Sequence, residues 1–130
     1  MLLGLRTDGP EVTMVLVGET GDVLATTVWQ ADRQLAHQLL ARLESFLAAE
    51  QARFSQLRGL FVYAGPGSFT GLRIGITTIN TLAYSLGAPV VGVGGEDWVQ
   101  TGVQRLATGE NDAAVLPEYG AEARVTTPKR

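Results

Sequence analysis

The sequence predicts an α/β domain with a mixed sheet, in the element order β-β-β-α-β-α-β. Three observations lead to this prediction. Short runs rich in Val, Leu and Thr open the chain and are separated by turn-forming residues, which is typical of strands. After residue 33, leucine recurs every four residues, as in an amphipathic helix. A glycine-rich stretch then joins a short apolar run to a longer one, which indicates a buried strand followed by a helix.

Three strands are predicted at the start, over Leu2–Arg6, Val12–Val17 and Val23–Trp29. The connecting residues 7–10 and 18–22 are rich in Gly, Asp and Thr, with one Pro. Connections this short usually join neighbouring antiparallel strands. We therefore expect a three-stranded meander.

The first helix is predicted over Arg33–Glu50. Its apolar stripe is formed by Leu35, Leu39, Leu43 and Leu47. Asp32 is the predicted N-cap, because its carboxylate can accept a hydrogen bond from a backbone N–H of the first turn.

Two buried strands are predicted over Leu60–Tyr63 and Val90–Val93, with a second helix over Leu72–Leu86 between them. A shorter third helix is predicted over Glu96–Leu106. We divide the chain into a lobe, residues 1–108, and a short C-terminal segment and tail, residues 109–130. Glu110 and Asp112 are expected to lie in a solvated loop after the lobe.

The amino-acid composition excludes several classes of function. The chain of 130 residues has no cysteine and one histidine, so disulfides, thiolate zinc sites and thiol catalysis are excluded, and a Ser-His-Asp triad is hard to build. A net charge of -3 argues against direct nucleic-acid binding. We expect no exported or membrane protein, because the start lacks a signal-like pattern and no apolar run is long enough to span a bilayer. A cytoplasmic location fits these features.

The glycine-rich loop that follows the predicted strand Leu60–Tyr63 has two interpretations. It contains Gly65, Pro66, Gly67, Ser68, Phe69, Thr70 and Gly71. A loop that follows a strand and opens a helix can hold a phosphate. However, its spacing matches neither the dinucleotide fingerprint nor a P-loop. A structural loop that needs glycine for a tight connection is therefore the favoured interpretation.

The helix after this loop is unusual for a surface helix, because Arg73 is its one charged residue between Leu72 and Leu86. Small residues, such as Gly75 and Thr78, would let another helix approach closely. One side must cover the sheet, and the other side needs a cover, which is either the predicted helix over Arg33–Glu50 or another subunit. A protein interface is the favoured interpretation.

The sequence GPGSFTGLRIG at residues 65–75, followed by LGAPVVGV at residues 86–93, resembles the signature of the TsaB (YeaZ) family. The resemblance extends to Leu2–Thr7, to Gly21–Leu24 and to Ala36–Leu40. It implies a single lobe of the actin-like, ribonuclease-H-like fold. Family members are nearly double this length, so we expect a shortened version without the second lobe. Where the family usually has an acidic residue in its first strand, this chain has Arg6, and no Mg-ATP site is expected here.

The resemblance implies a function as well. TsaB proteins are non-catalytic partners of TsaD in the threonylcarbamoylation of tRNA adenosine next to the anticodon. We therefore expect an accessory subunit rather than an enzyme, docking through a helix bundle, and a homodimer when alone. A TsaE-like ATPase is a further candidate partner, and tRNA would be reached only through the complex. No cofactor or metal is expected on this chain, since ATP or ADP and Mg²⁺ would lie on the partner.

The residues expected to bind the partner lie on the first two helices. They are His37, Leu40, Leu72, Arg73, Ile76, Ile79, Asn80 and Ala83. No catalytic residue is predicted. The alternative is a nucleotide-binding module or an enzyme that uses the loop from Gly65 to Gly71.

Overall fold

The computed structural model describes residues 1–31, 33–67 and 69–118. Its strands are β1 (Leu2–Arg6), β2 (Glu11–Val17), β3 (Val23–Gln30), β4 (Gly59–Tyr63) and β5 (Val90–Val93). Its helices are α1 (Leu35–Ala49), α2 (Phe69–Leu86) and α3 (Trp98–Ala107), with a short 3-10 turn over Phe54–Gln56. The predicted element order is confirmed. The predicted cap Asp32 and the tail after residue 118 lie outside the described residues.

The five strands form one mixed sheet in the order β3-β2-β1-β4-β5. The first three strands are antiparallel neighbours, as expected of a meander. β4 is parallel to both β1 and β5. Parallel neighbours need a crossover connection, and helices α1 and α2 supply it. The sheet therefore has β1 in its centre and β3 and β5 as its two edge strands.

Helices cover both faces of the sheet. α3 lies on the face that carries Phe61, because Gly102 lies directly against the Phe61 ring and Trp98 packs 5.8 Å from it, centroid to centroid. α1 and α2 pack together on the opposite face. There the side chains of Leu60 and Val62 are fully buried. The strands between the helix layers are thus almost wholly apolar, as expected of a sheet buried on two faces.

Helix α2 begins earlier than predicted. Phe69, Thr70 and Gly71 belong to its first turn, so the predicted loop is shorter than the seven residues assigned to it. The hydroxyl of Thr7 donates a 2.6 Å hydrogen bond to the carbonyl of Gly71. This contact between distant parts of the chain holds the first turn of α2 on the end of β1, and a local sequence pattern does not reveal it.

Glu110 and Asp112 lie in an exposed loop after α3, as expected, but this loop is also attached to the rest of the fold. The guanidinium of Arg105 forms ion pairs with both carboxylates, each with an N–O distance of 2.7 Å. Arg105 also donates to the carbonyl of Gly92 in β5. The two acids therefore hold the C-terminal segment against the end of the sheet.

Residues 111–118 close the outer edge of β5. The backbone N–H groups of Val90 and Gly92 donate to the side chains of Asn111 and Asp112. Asp112 in turn donates its own N–H to the carbonyl of Val90. Val115 is buried with 4% exposure. Unpaired edge groups invite pairing with other chains, so this segment protects one edge of the sheet.

Candidate functional site

The turn after β1 and the loop after β4 meet at one end of the sheet. Gly67 of the loop approaches Asp8 of the turn so closely that a Cβ on Gly67 would lie 2.5 Å from the Cβ of Asp8. Gly75, in the second turn of α2, lies equally tightly against the Thr7 side chain. Both approaches exclude a larger side chain. The glycines thus bring α2 against the first turn of the chain.

Arg6 occupies the centre of this end of the sheet. Its Nε and Nη2 donate to the two carboxylate oxygens of Asp8 at 2.7 and 3.2 Å. Its guanidinium lies 4.0 Å from the centroid of the Tyr63 ring and 6.0 Å from that of Trp98. The hydrogen bonds to Asp8 raise the pKa of Arg6, although burial of the guanidinium acts in the opposite direction. Arg6 is thus a charged brace between the turn, β4 and α3.

The loop itself is folded against the C-terminal segment. Gly65 has a φ of 122°, which favours glycine. A Cβ there would also overlap the carbonyl oxygen of Glu118. The N–H of Glu118 donates to Ala64 at 2.7 Å. These contacts explain why glycine is required at positions 65 and 67 without a bound ligand. Nucleotide binding by the loop stays a prediction.

Within the described residues, no group of three or more His, Asp or Glu side chains could hold a metal ion. The part of the chain that the structure describes also has no helix long and apolar enough to cross a membrane.

Four of the eight predicted partner-binding residues face the core. These are Leu72, Ile76, Ile79 and Ala83, each at most 3% exposed. They form the stripe of α2 that packs on the sheet, so their placement on a partner-facing side is wrong. The sequence did not distinguish the two sides of α2, because apolar residues lie around most of its circumference and such a pattern does not identify the buried stripe.

The other four lie nearer the surface. His37 and Arg73 are exposed, and Leu40 is 52% exposed, an unusual fraction for a large apolar side chain. Asn80 is half-buried, and its amide exchanges two hydrogen bonds with the backbone of Val115, at 3.0 and 2.9 Å. Asn80 therefore ties α2 to the C-terminal segment. Partner binding by His37, Leu40 and Arg73 stays a prediction.

The structure exposes two further residues of α2 that are not among the predicted partner-binding residues. Tyr84 of α2 is 89% exposed. Thr77 is exposed and lies between Arg73 and Tyr84 on one side of the helix. The available signal was the spacing of these residues by four and seven positions, which places them on one face. We call His37, Leu40, Arg73, Thr77 and Tyr84 the helix surface.

The sheet order and the helices on both faces define a class of protein, the lobe shared by ribonuclease-H-like and actin-like proteins. RuvC from Thermus thermophilus, solved with a Holliday junction substrate, has this fold. It is 15% identical, with a TM-score of 0.51, and the match covers 94% of this chain and 86% of RuvC. An identity this low supports the fold alone.

A family model described as TsaD, tRNA N6-adenosine threonylcarbamoyltransferase, matches residues 29–101, more than half of the chain. The chain belongs to this family, and within it the chain is TsaB-like. YeaZ from Pseudomonas aeruginosa is 31% identical with a TM-score of 0.65, over 72% of this chain and 43% of YeaZ. The TsaB protein of Bacillus subtilis, described as a tRNA threonylcarbamoyladenosine biosynthesis protein, is 51% identical over 37 residues, 28% of this chain and 16% of that protein.

The chain spans less than half the length of YeaZ and of the curated relatives from Mycobacterium. Proteins from Mycobacterium bovis and Mycobacterium tuberculosis are 33% identical to this chain. The matched region covers 71% of this chain and 44% of each of those proteins. The predicted family and fold are therefore confirmed for the matched region.

Proposed function

We propose that this chain is an accessory subunit in the threonylcarbamoylation of tRNA adenosine, and that it docks through the helix surface onto a TsaD-like protein. It contributes a binding surface and no catalytic group. ATP or ADP and Mg²⁺ belong to the partner, tRNA is reached only through the complex, and the setting is the cytoplasm. The similarity to TsaB and YeaZ supports the pathway, and the helix surface supports the docking role.

The observation that carries the proposal is the composition of the outward sides of α1 and α2. α2 has 18 residues and one charge, Arg73. Leu40 on α1 and Tyr84 on α2 are two of the few large apolar or aromatic side chains that stay more than half exposed. Aromatic residues and arginine are enriched in the centres of protein interfaces, whereas surface helices in water usually carry several charges.

The α2 part of the helix surface is also attached to the rest of the fold by hydrogen bonds and core packing, which favours tight binding. Thr7 fixes the first turn of α2 through Gly71, and Asn80 fixes its middle through Val115. The core side of the helix is fully buried at Leu72 and Ile79. A surface ordered before binding loses less conformational entropy when the complex forms.

The test compares two substitutions at the surface with a matched control. Leu40→Glu and Tyr84→Glu should each weaken binding to a TsaD protein from the same source by about thirtyfold or more, as expected for central interface residues. Leu24→Glu is the control, because Leu24 is 55% exposed against 52% for Leu40 but lies on β3. Titration calorimetry measures the affinity, and threonylcarbamoylation of tRNA by the mixture should fall in parallel.

Two results would contradict the proposal. One is unchanged affinity in both helix variants while their circular dichroism stays native. The other is an equal loss in the Leu24→Glu control. Stabilisation of the isolated chain by ADP with Mg²⁺ in a thermal melt would instead favour the nucleotide-binding alternative.

A further inference from the structure

The two edge strands of the sheet differ in whether another segment of the described chain covers them. Residues 111–118 cover β5 with side-chain and backbone hydrogen bonds. β3 is the other edge, and its one strand neighbour among the described residues is β2. Alternate residues of this eight-residue strand therefore present outward backbone donors and acceptors. Such an edge is completed by another strand.

β3 has none of the charged residues or prolines that commonly protect an open edge. Its sequence VLATTVWQ contains no Lys, Arg, Asp, Glu or Pro. Three of its apolar residues are also exposed, with Val23 at 52%, Leu24 at 55% and Val28 at 50%, whereas Ala25 and Trp29 are partly buried. An incoming strand would therefore bury apolar surface and meet no charged side chain of β3 itself, although the Arg42 guanidinium of α1 lies 4.5 Å from the centroid of the Trp29 ring.

The sequence of β3 is complementary to itself. Leu24 and Val28 lie two positions to either side of Thr26. In an antiparallel pair of two β3 strands centred on Thr26, each Leu24 lies opposite Val28 of the second copy, and the two Thr26 side chains face each other. The β2–β3 register shifts at Leu24, so the regular part of the pairing runs from Ala25 to Gln30 and Leu24 lies at its end. Apolar cross-strand pairs and Thr–Thr pairs are favourable, and such a pattern selects the register.

We propose that β3 pairs with β3 of a second copy of this chain in antiparallel fashion, joining two sheets across a two-fold axis at Thr26. This interface is separate from the helix surface and goes beyond the proposed docking function. An eight-residue strand is about 27 Å long. A single strand pair buries less than the roughly 800 Å² per partner of a stable interface. The dimer is therefore weak and forms at protein concentrations on the order of 0.1–1 mM.

The absence of cysteine from the sequence permits a direct test by single-cysteine cross-linking. Opposed residues in an antiparallel pair have Cβ atoms about 4.5–5.5 Å apart, close to the span of a disulfide. Under mild oxidation at high concentration, Thr26→Cys should form a covalent dimer at least about tenfold faster than Gln100→Cys, since only the proposed pairing opposes the two thiols. Gln100 is an exposed residue of α3 and supplies the control.

Sedimentation of the full chain provides an independent measurement. The unmodified protein should show a reversible, concentration-dependent dimer, and Thr26→Lys should abolish it, because two lysines would face each other at the axis. Gln100→Lys adds the same charge on α3 and should leave the dimer unchanged. Cross-linking of Thr26→Cys no faster than the control would overturn the proposal. A dimer that survives Thr26→Lys but is lost in Tyr84→Glu would overturn it as well, and would assign self-association to the helix surface.

Discussion

Gly67 and Gly9 lie in neighbouring turns, but their surroundings differ. A Cβ on Gly67 would meet the Cβ of Asp8 at 2.5 Å, whereas a Cβ on Gly9 would meet no atom within 4 Å. Neither glycine has a positive φ. We expect Gly67→Ala to lower the free energy of unfolding by about 1–3 kcal/mol through overpacking, and Gly9→Ala to change it by less than about 0.5 kcal/mol. Urea denaturation measures both, and equal stabilities of the two variants would refute the steric explanation.

Asp112 makes the stability of the protein depend on pH. Burial would raise the pKa of its carboxyl group, but the hydrogen bonds from the Gly92 N–H and from Arg105 outweigh burial and lower it. A lowered folded-state pKa means that folding favours the ionised form. The stabilisation is therefore complete above the usual pKa of an aspartate and is lost as the pH falls through the lowered value.

Thermal melts between pH 7 and pH 2 test this behaviour. Asp112→Asn should lower the melting temperature at pH 7, and its difference from the unmodified protein should shrink as the pH falls. Glu50→Gln removes an exposed carboxyl group at the end of α1 and serves as the control. A constant difference between Asp112→Asn and the unmodified protein at all pH values would show that Asp112 acts without its charge.

At the scale of the element, the segment 111–118 acts as an edge cover for β5. All described contacts of this segment lie at or before Glu118. A chain that ends after Gly109 loses the burial of Val115 and the hydrogen bonds to Val90 and Gly92. We expect a loss of at least about 2 kcal/mol in unfolding free energy, together with aggregation at the opened edge.

A chain that ends after Glu118 is the matched comparison for this truncation. It keeps every described contact of the edge cover, so its urea midpoint should match that of the full chain. If the two truncated chains were equally stable, residues 111–118 would contribute nothing to closing the edge.

At the scale of the whole molecule, the helix surface and the β3 edge should act independently. Leu40 and Tyr84 lie on helices that cover one face of the sheet, whereas Thr26 lies at its edge. Substitutions without shared contacts usually have additive effects. Thr26→Lys should therefore leave the affinity for TsaD within about twofold, and Leu40→Glu should leave the cross-linking rate of Thr26→Cys within the same factor. A larger effect in either direction would show that the two surfaces overlap.

The interior substitution Ile79→Glu should behave differently from both. Ile79 is fully buried, so an unpaired charge there would unfold the lobe rather than block docking alone. Its circular dichroism and melting temperature distinguish this outcome, because Leu40→Glu should keep a native spectrum.

Most strands could be predicted from the sequence because their signals are local. β1 and β5 have the predicted bounds, and the other three strands differ by one residue at an end. The start of α2 was missed because its first turn, at Phe69–Gly71, is held by Thr7, which follows the distant strand β1. The role of Asp112 was missed because its partner Arg105 and the β5 backbone become its neighbours only after the sheet has formed.

The sequence by itself determined the fold class, the element order and the family, since periodicity, turn chemistry and the glycine-rich motif are properties of neighbouring residues. Tertiary structure decided which side of α2 faces water. α2 is apolar around most of its circumference, so Ile79 and Tyr84 could be assigned only once the sheet had buried one side. It also decided that β5 is covered and β3 is open, because strand neighbours come from distant parts of the chain. The surfaces available to partners thus follow from packing, which a linear pattern does not contain.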